Sequence, residues 1–354
     1  MSCAPANAAA EPAATLPNLG RVGVWRSGTS TSIEPALAGQ LERLGYGTLW
    51  IGAEGMGLLR WKGGRLESRG RDQGLTERRI LSMQEMPDGS LLLGGEGPGL
   101  WQWSPDGLRH YGAGDGMTGG NISAIVAAPG GAWIGSNGGG LYRFQDGKFL
   151  RYTRADGLGS EFVRTLYQDG EGVLWIGTDA GVTRLKADKF FTFSTREGMW
   201  DDVISRIIDD GLLPAEGGQN LWFGSNRCIF RVARAAFDEL ASGTRTALDP
   251  VMYGRAEGMD CLECAGAFGP AGLVEHLTPN PGMENPRLWF PTLRGLVSLD
   301  AIRLMGRADG IMGDHLVFCR PHLHSPGTEA VFDLGDAVAG GDRQAGQPID
   351  GACW

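Results

Sequence analysis

The chain has 354 residues, 59 glycines and a net charge of −9. The length suits one large all-β domain or two ordinary domains, and glycine stands well above its usual share of about 7%. Because 41 acidic residues oppose 32 basic ones and no Lys/Arg cluster is present, nucleic acid is not expected as a partner. No apolar run reaches the roughly 18 residues of a membrane span, and no signal peptide is visible at the N-terminus.

A short motif, usually apolar-Trp-apolar-Gly, occurs six times along the chain and predicts one strand at each site. Its second positions, which we call the blade anchors, are Trp50, Leu92, Trp133, Trp175, Trp222 and Trp289. They lie 42, 41, 42, 47 and 67 residues apart, so the last interval carries an insertion. A wide aromatic ring at the same place in successive sheets fills the gap between them, and each indole N–H is expected to bond to the backbone.

Three further strands are predicted in each repeat. A glycine turn leads from the anchor to a second apolar run, such as 140–144, and Asp146-Gly147 then turns the chain into a strand at 149–152. A loop signature follows, Asp156-Gly157-Leu158 in its clearest copy, before the next strand at 163–168. Four strands in about 40 residues is the period of a β-propeller blade, so the predicted fold is an all-β propeller with six recognisable blades.

The repeats divide the chain into three parts. They occupy 46–300, after an irregular N-terminal segment at 1–45 and before a divergent tail at 301–354. Short apolar runs within 20–35 and 315–335 would together complete a seventh blade. An open six-bladed ring is the alternative.

The segment 174–185, read with Asp156-Gly157-Leu158 before it, resembles the two-component regulator propeller repeat. This repeat belongs to the sensor domains of bacterial hybrid two-component and diguanylate cyclase receptors. The resemblance implies a non-enzymatic sensor outside the cytoplasm, followed by a Tyr-rich β-sandwich, a membrane helix and a kinase, cyclase or response-regulator output. None of these follows Asp300, so we expect a truncated member, periplasmic by analogy.

Metal and cofactor sites are not expected from the cysteines and histidines. Cys261-Leu262-Glu263-Cys264 lacks a second ligand pair, which favours packing in a loop. His315, Cys319, His322 and His324 form the densest cluster of nitrogen and sulfur ligands, and a surface tail is favoured there over a metal site. No nucleophile elbow or repeated histidine marks a catalytic centre.

In a propeller, the loops after the anchors share one face with the loops that lead to the next inner strand. Non-glycine residues vary there while the framework repeats, as in a binding surface on a rigid scaffold. We therefore expect a small polar ligand, with carbohydrate suggested by the family and by Trp200, whose binding changes how the domain pairs with a second copy. The candidate ligand-binding residues are Asn137, Glu161, Arg164, Asp179, Trp200, Asp201, Asp202, Arg206, Asn226, Arg227 and Arg294.

Two other functions stay open at this stage. One is a propeller enzyme of the streptogramin-lyase type, which needs a His and Glu pair at the central channel. The other is a protein-interaction scaffold or a nonfunctional gene fragment.

Overall fold

The computed structural model describes residues 22–25, 49–53, 57–62, 65–77, 79–210, 219–255, 259, 263–264, 273–275, 287–292, 295–300 and 317–319. Within these ranges the chain forms six four-stranded sheets, one α-helix and four short 3-10 helices. The prediction of an all-β propeller with six four-stranded blades is therefore confirmed.

Each sheet takes its four strands in chain order. Sheet 1 contains β1 (Val22–Trp25), β2 (Leu49–Ala53), β3 (Gly57–Lys62) and β4 (Arg65–Arg69). Sheet 2 contains β5 (Ile80–Glu85), β6 (Leu91–Gly95), β7 (Leu100–Ser104) and β8 (Gly107–Tyr111). Sheet 3 contains β9 (Asn121–Ala128), β10 (Gly131–Asn137), β11 (Gly140–Gln145) and β12 (Lys148–Tyr152). Sheet 4 contains β13 (Val163–Gln168), β14 (Leu174–Thr178), β15 (Val182–Lys186) and β16 (Lys189–Phe193). Sheet 5 contains β17 (Ile204–Asp209), β18 (Asn220–Ser225), β19 (Ile229–Ala233) and β20 (Val251–Tyr253). Sheet 6 contains β21 (Leu273–Glu275), β22 (Arg287–Thr292), β23 (Gly295–Asp300) and β24 (Val317–Cys319).

The first strands of the sheets lie next to one another. Contacts run in chain order from β1 to β5 and on through β9, β13, β17 and β21. The first strand of each sheet is thus the inner strand of a blade, and the anchors lie on the second strand. Neighbouring strands within a sheet are antiparallel, except that β1 runs parallel to β2.

The strands nearest the two ends of the chain belong to existing sheets. Strand β1 pairs with β2 in sheet 1, and β24 pairs with β23 in sheet 6. Both lie outside the predicted repeat range 46–300 and supply the inner and outer strands of those sheets. In the described part of the chain they do not build a seventh blade, because each finds its backbone partners in the sheet next to it in sequence.

The anchors differ in burial. Leu92, Trp175, Trp222 and Trp289 are buried, whereas Trp50 and Trp133 are half-buried. A guanidinium from the opposite strand lies over each half-buried ring, with Arg60 at 5.9 Å from the Trp50 centroid and Arg143 at 5.3 Å from that of Trp133. The half-buried rings thus lie between an arginine of the adjacent strand and the neighbouring sheet, since the Trp50 ring centroid also lies 4.5 Å from that of Trp103 in sheet 2 and Trp133 packs against the apolar cluster of sheet 4.

The prediction that the anchor indole N–H bonds to the backbone is wrong for Trp175 and Trp222, whose indole bonds the structure records. The Trp175 N–H donates to Asp169 Oδ2 at 2.9 Å, and the Trp222 N–H donates to Asp210 Oδ2 at 3.5 Å. Both aspartates lie in the turn between the inner strand and the anchor strand. Because strand carbonyls are used in the ladder, the carboxylate of this turn is the acceptor left for the indole.

An α-helix that the repeat does not predict belongs to sheet 5 and packs against sheet 4. Helix α1 (Arg234–Ser242) lies between β19 and β20, within the long last interval, and ends at Gly243. Its Phe237 is fully buried, with ring centroids 5.0 Å from Trp175 and 4.8 Å from Phe193. On the same helix, Arg234 lies 2.7 Å from Asp169. The helix therefore seals the gap between the two sheets with both apolar and ionic contacts.

None of the helices formed by the described residues has the length and apolar character needed to cross a bilayer.

Candidate functional site

The loops that carry most of the candidate residues interlock on one face, which we call the rim face. It comprises the loops at 137–140, 178–181 and 225–228 after the anchor strands, and the loops at 158–162 and 199–203 before β13 and β17. The carbonyl of Glu161 accepts hydrogen bonds from the N–H groups of Gly138 at 3.0 Å and Gly140 at 2.9 Å. Likewise, the Asp202 carbonyl accepts from the Gly181 N–H at 2.7 Å. Each loop that enters a sheet is thus bonded to the anchor loop of the sheet before it.

The loop signature seen in the sequence shapes the chain before each entering loop. The Asp156 carboxylate accepts hydrogen bonds from the Thr153 N–H at 2.8 Å and the Thr153 hydroxyl at 3.0 Å, which lowers the pKa of Asp156. Gly157 follows with a φ of 104°, and Leu158 is buried. In the next repeat the same arrangement is formed by Ser194, Glu197, Gly198 and Met199. The signature is therefore a capping device that holds the rim loops in place.

Two of the candidate acidic residues are used within the protein. The Asp202 carboxylate accepts hydrogen bonds from the Thr195 N–H at 2.7 Å and the Thr195 hydroxyl at 3.1 Å. Glu161 forms an ion pair with Arg151 at 3.5 Å. With their carbonyls also bonded to the neighbouring loop, Glu161 and Asp202 act in joining the blades.

Exposed aromatic side chains stand on the same loops. Trp200 is 36% exposed, and the Arg227 guanidinium lies 5.4 Å from its ring centroid, a cation–π contact between loops of sheet 5. Phe162 is 50% exposed and its backbone bridges to Asn137. Phe162 is not among the predicted ligand-binding residues, although a phenylalanine between Glu161 and Val163 in a polar loop was the available signal.

The two candidate arginines of the inner strands lie near the rim end of β13 and β17. Arg164 and Arg206 are both half-buried, and each has a buried Nε with no hydrogen-bond partner in the described part of the chain. Burial lowers the pKa of Arg206 to about 10. Asp201, in the loop before β17, is buried as well; its Oδ1 accepts from the Val203 N–H at 3.2 Å, and its Oδ2 has no partner among the described residues. Three buried polar atoms, the two Nε atoms and Asp201 Oδ2, are thus without a hydrogen-bond partner in the described part of the chain.

The other candidates are scattered over the face. Asn226 and Arg227 are exposed in the loop after β18, and Asp179 is half-buried in the loop after β14. Asn137 ends β10 and pairs with Asn121. Arg294 lies outside the described residues.

Only some of the histidines and cysteines considered for a lyase or a metal site lie among the described residues. His110 is the one histidine among the described residues, and it lies on the outer strand β8 with its ring centroid 4.3 Å from that of Trp101. It is therefore placed away from the central channel that a lyase would use. Cys264 is buried against sheet 6, whereas Cys261, His315, His322 and His324 lie outside the described residues. The described residues contain no group of three or more metal-ligand side chains.

Comparison with solved structures finds bacterial surface proteins of low identity. An extracellular domain assigned to the hybrid two component system BT4673 of B. thetaiotaomicron is 16% identical, with a TM-score of 0.49, over 76% of this chain and 36% of that one. The corresponding domain of system BT3049 is 15% identical, with a TM-score of 0.44, over 77% and 42%. PorZ, a surface component of the type-IX secretion system of Porphyromonas gingivalis, is 17% identical, with a TM-score of 0.45, over 78% and 40%. The match thus covers less than half the length of each of those chains.

A comparison with curated proteins gives no match. The family model described as two component regulator propeller matches residues 157–180. This segment begins at the glycine of the loop signature, includes all of β13 and the Trp175 anchor, and ends in the rim loop after β14. The match falls on the segment whose residues carried the resemblance, and the chain therefore carries the two-component regulator propeller repeat.

Proposed function

We propose that this chain is the ligand-sensing propeller of a bacterial signalling receptor, and that its rim face binds a small polar ligand, with carbohydrate as the class to test first. The observation that carries the proposal is the exposed pair of rings, Trp200 and Phe162, on loops fixed by backbone hydrogen bonds. Small-molecule sites combine such aromatic surfaces with a few placed polar groups.

The rigidity of these loops supports binding as their role. Function tends to lie on loops held by a rigid scaffold, and here the capping signature and the interlocked carbonyls hold the rings in place before a ligand arrives. Pre-organisation of this kind lowers the entropic cost of binding. Polar groups stand close by, since Arg227 already contacts the face of Trp200.

The signalling part of the proposal rests on the family of the repeat. Its members sense outside the cytoplasm and pass the signal to kinase, cyclase or response-regulator domains, so we place this domain outside the cytoplasm and assign any such activity to other domains. Ligand binding then alters the pairing of the domain with a second copy.

A thermal-shift screen of neutral sugars, sugar acids, polyols and short peptides tests the proposal. A ligand at 100 times its Kd stabilises by about 2.7 kcal/mol, which raises the Tm of a protein of this size by roughly 4 °C. Trp200→Ala and Phe162→Ala are expected to abolish the shift while leaving the ligand-free Tm within about 2 °C, because both rings are exposed.

Leu150→Ala is the matched control. Leu150 is 59% exposed on the outer strand β12, so the substitution removes a similar apolar side chain away from the rim face. It should leave the ligand-induced shift intact. If no compound in the panel shifts the Tm, or if Leu150→Ala abolishes the shift as completely as Trp200→Ala does, the rim face is not the site.

A further inference from the structure

The rim ends of β13 and β17 share an irregularity, and an arginine lies at it in each of these two neighbouring inner strands. The pairing register shifts between Val163 and Thr165 in sheet 4, which leaves Arg164 without a paired residue, and between Ile204 and Arg206 in sheet 5, where Ser205 takes that unpaired position. Arg206 is thus one residue further along its strand than Arg164, and β13 and β17 contact each other. A β-bulge re-aims side chains and recurs next to functional sites.

The step itself does not need an arginine. In sheet 2 it carries Ser82, whose hydroxyl donates to the Ile122 carbonyl at 3.1 Å, and in sheet 3 it carries Ser123, whose hydroxyl donates to the Gly135 carbonyl at 3.1 Å. In sheet 5 Ser205 makes the same bond as Ser123, donating to the Gly224 carbonyl at 2.9 Å. Ser123 and Ser205 take the unpaired position that Arg164 takes in sheet 4, and Ser82 takes the position of Arg206, so small hydroxyl side chains serve at both positions and the step does not require an arginine.

Four other arginines of low or moderate exposure form ion pairs. Arg60 and Arg69 pair with Glu67, Arg184 pairs with Asp238, and Arg234 pairs with Asp169. A buried Nε without a partner occurs in Arg60, Arg69 and Arg184 as well as in Arg164 and Arg206. What sets the last two apart is that neither guanidinium has an ion pair or a hydrogen bond with another described residue.

A buried positive charge without a counterion is costly. Burial lowers the pKa of Arg206 only to about 10, so the guanidinium is still charged at neutral pH. The planar guanidinium presents paired donors that match the two oxygens of a carboxylate. The missing counterion is therefore best supplied by a ligand.

We propose that Arg164 and Arg206 form an anion subsite of the rim face, and that the ligand is a hydroxylated organic acid such as a sugar acid. This inference rests on the proposed function, because it concerns the same face. The hydroxylated part of the ligand is assigned from Asp201, whose unpartnered, buried Oδ2 accepts hydrogen bonds from hydroxyl donors and does not favour a simple anion. The exposed ring of Trp200, the residue before it, adds an apolar surface.

Isothermal titration calorimetry of the full chain with sodium glucuronate, glucose and sodium sulfate at low ionic strength tests the subsite. We expect glucuronate to bind at least about tenfold more tightly than glucose, as one or two charged hydrogen bonds provide. Arg164→Gln and Arg206→Gln should each weaken glucuronate binding by about tenfold or more and leave glucose binding unchanged. Arg109→Gln is the matched control, because Arg109 is exposed on the outer strand β8.

A melting experiment separates this role from a structural one. Without ligand, Arg206→Met should melt at or above the wild-type Tm, because it removes a half-buried charge that no described residue pairs. A Tm lowered by several degrees would show that Arg206 supports the fold and would overturn the assignment.

The remaining outcomes distinguish the two proposals. Equal affinity for glucuronate and glucose, both lost in Trp200→Ala, would refute the anion subsite and leave the proposed function standing. Sulfate binding as tightly as glucuronate would refute the assignment to an organic acid. If none of the three compounds binds and the wider screen also finds no ligand, both proposals fail.

Discussion

Asp169 is the residue whose replacement tests most directly what holds sheets 4 and 5 together. Its side chain is 1% exposed and lies 2.7 Å from the Arg234 guanidinium. It also accepts hydrogen bonds from the Val173 N–H and the Trp175 indole N–H, both at 2.9 Å. Asp169→Ala leaves these two donors buried and unpaired at about 1–3 kcal/mol each, so we expect the free energy of unfolding to fall by about 4 kcal/mol.

Urea denaturation followed by tryptophan fluorescence measures this loss. With a slope of about 2–3 kcal/mol per molar urea, the midpoint should fall by roughly 1.5 M. Asp88→Ala is the matched control, because Asp88 occupies the same turn of sheet 2 but is exposed and accepts from the Ser90 N–H at 2.9 Å. Its expected cost is about 1 kcal/mol or less.

A double mutant tests the attribution to the indole bond. Trp175→Phe removes the indole donor, so Asp169→Ala combined with Trp175→Phe should cost about 1 kcal/mol less than the sum of the single changes. Strict additivity, or equal losses for Asp169→Ala and Asp88→Ala, would refute the role given to this carboxylate.

Three further predictions concern the same two sheets. Burial and the hydrogen bond to Asp209 at 3.0 Å raise the pKa of Tyr167, and such a group stabilises the fold below the unfolded pKa of about 10 and loses that contribution as the pH rises above it. Between pH 9 and 11 the wild type should therefore lose more stability than Tyr167→Phe, measured by urea midpoints. Gly181→Ala should cost more than about 3 kcal/mol, because φ is 102° and a Cβ would lie 2.1 Å from the Phe193 carbonyl oxygen. Phe237→Ala should cost about 3–5 kcal/mol and lower the Tm, because the ring fills the gap between the sheets.

Each of these three has a control or a contrary outcome. Gly74→Ala, at a φ of 98° with nothing within 4 Å of the added Cβ, should cost about 1–2 kcal/mol, and an equal loss at Gly181 would contradict the steric argument. Identical stability curves for wild type and Tyr167→Phe above pH 9 would contradict the titration argument. A Phe237→Ala protein as stable as the wild type would show that helix α1 does not hold the sheets together.

The strands were predictable because their signals are local. The strand expected at 163–168 corresponds to β13 (Val163–Gln168), and the one expected at 149–152 lies within β12 (Lys148–Tyr152). Short apolar runs between glycine turns specify such elements without reference to distant parts of the chain. The same holds for the capping signature, whose residues act within a single turn.

Which charged rim residues have partners within the protein, and which have none among the described residues, was not predictable in this way. Glu161, Arg164, Asp202 and Arg206 are all charged residues in or beside variable loops, and the sequence offers no basis for separating them. Thr195 and Arg151 engage the two acids, whereas the inner-strand step leaves the Nε of both arginines unpartnered in the described part of the chain. Whether a charged side chain has a partner depends on residues elsewhere in the chain that the fold brings next to it.

The number of repeats, the strand order within each blade and the face on which variable loops gather are all readable in the sequence, because they follow from periodicity and turn chemistry within about 40 residues. The packing of the sheets brings helix α1 against sheet 4 and places Arg164 and Arg206 on adjacent inner strands. These two features join residues of different repeats, and a local pattern contains no information about how the sheets pack. The bond from each buried indole to a carboxylate lies within one hairpin, but it depends on side-chain directions that the repeat pattern does not specify.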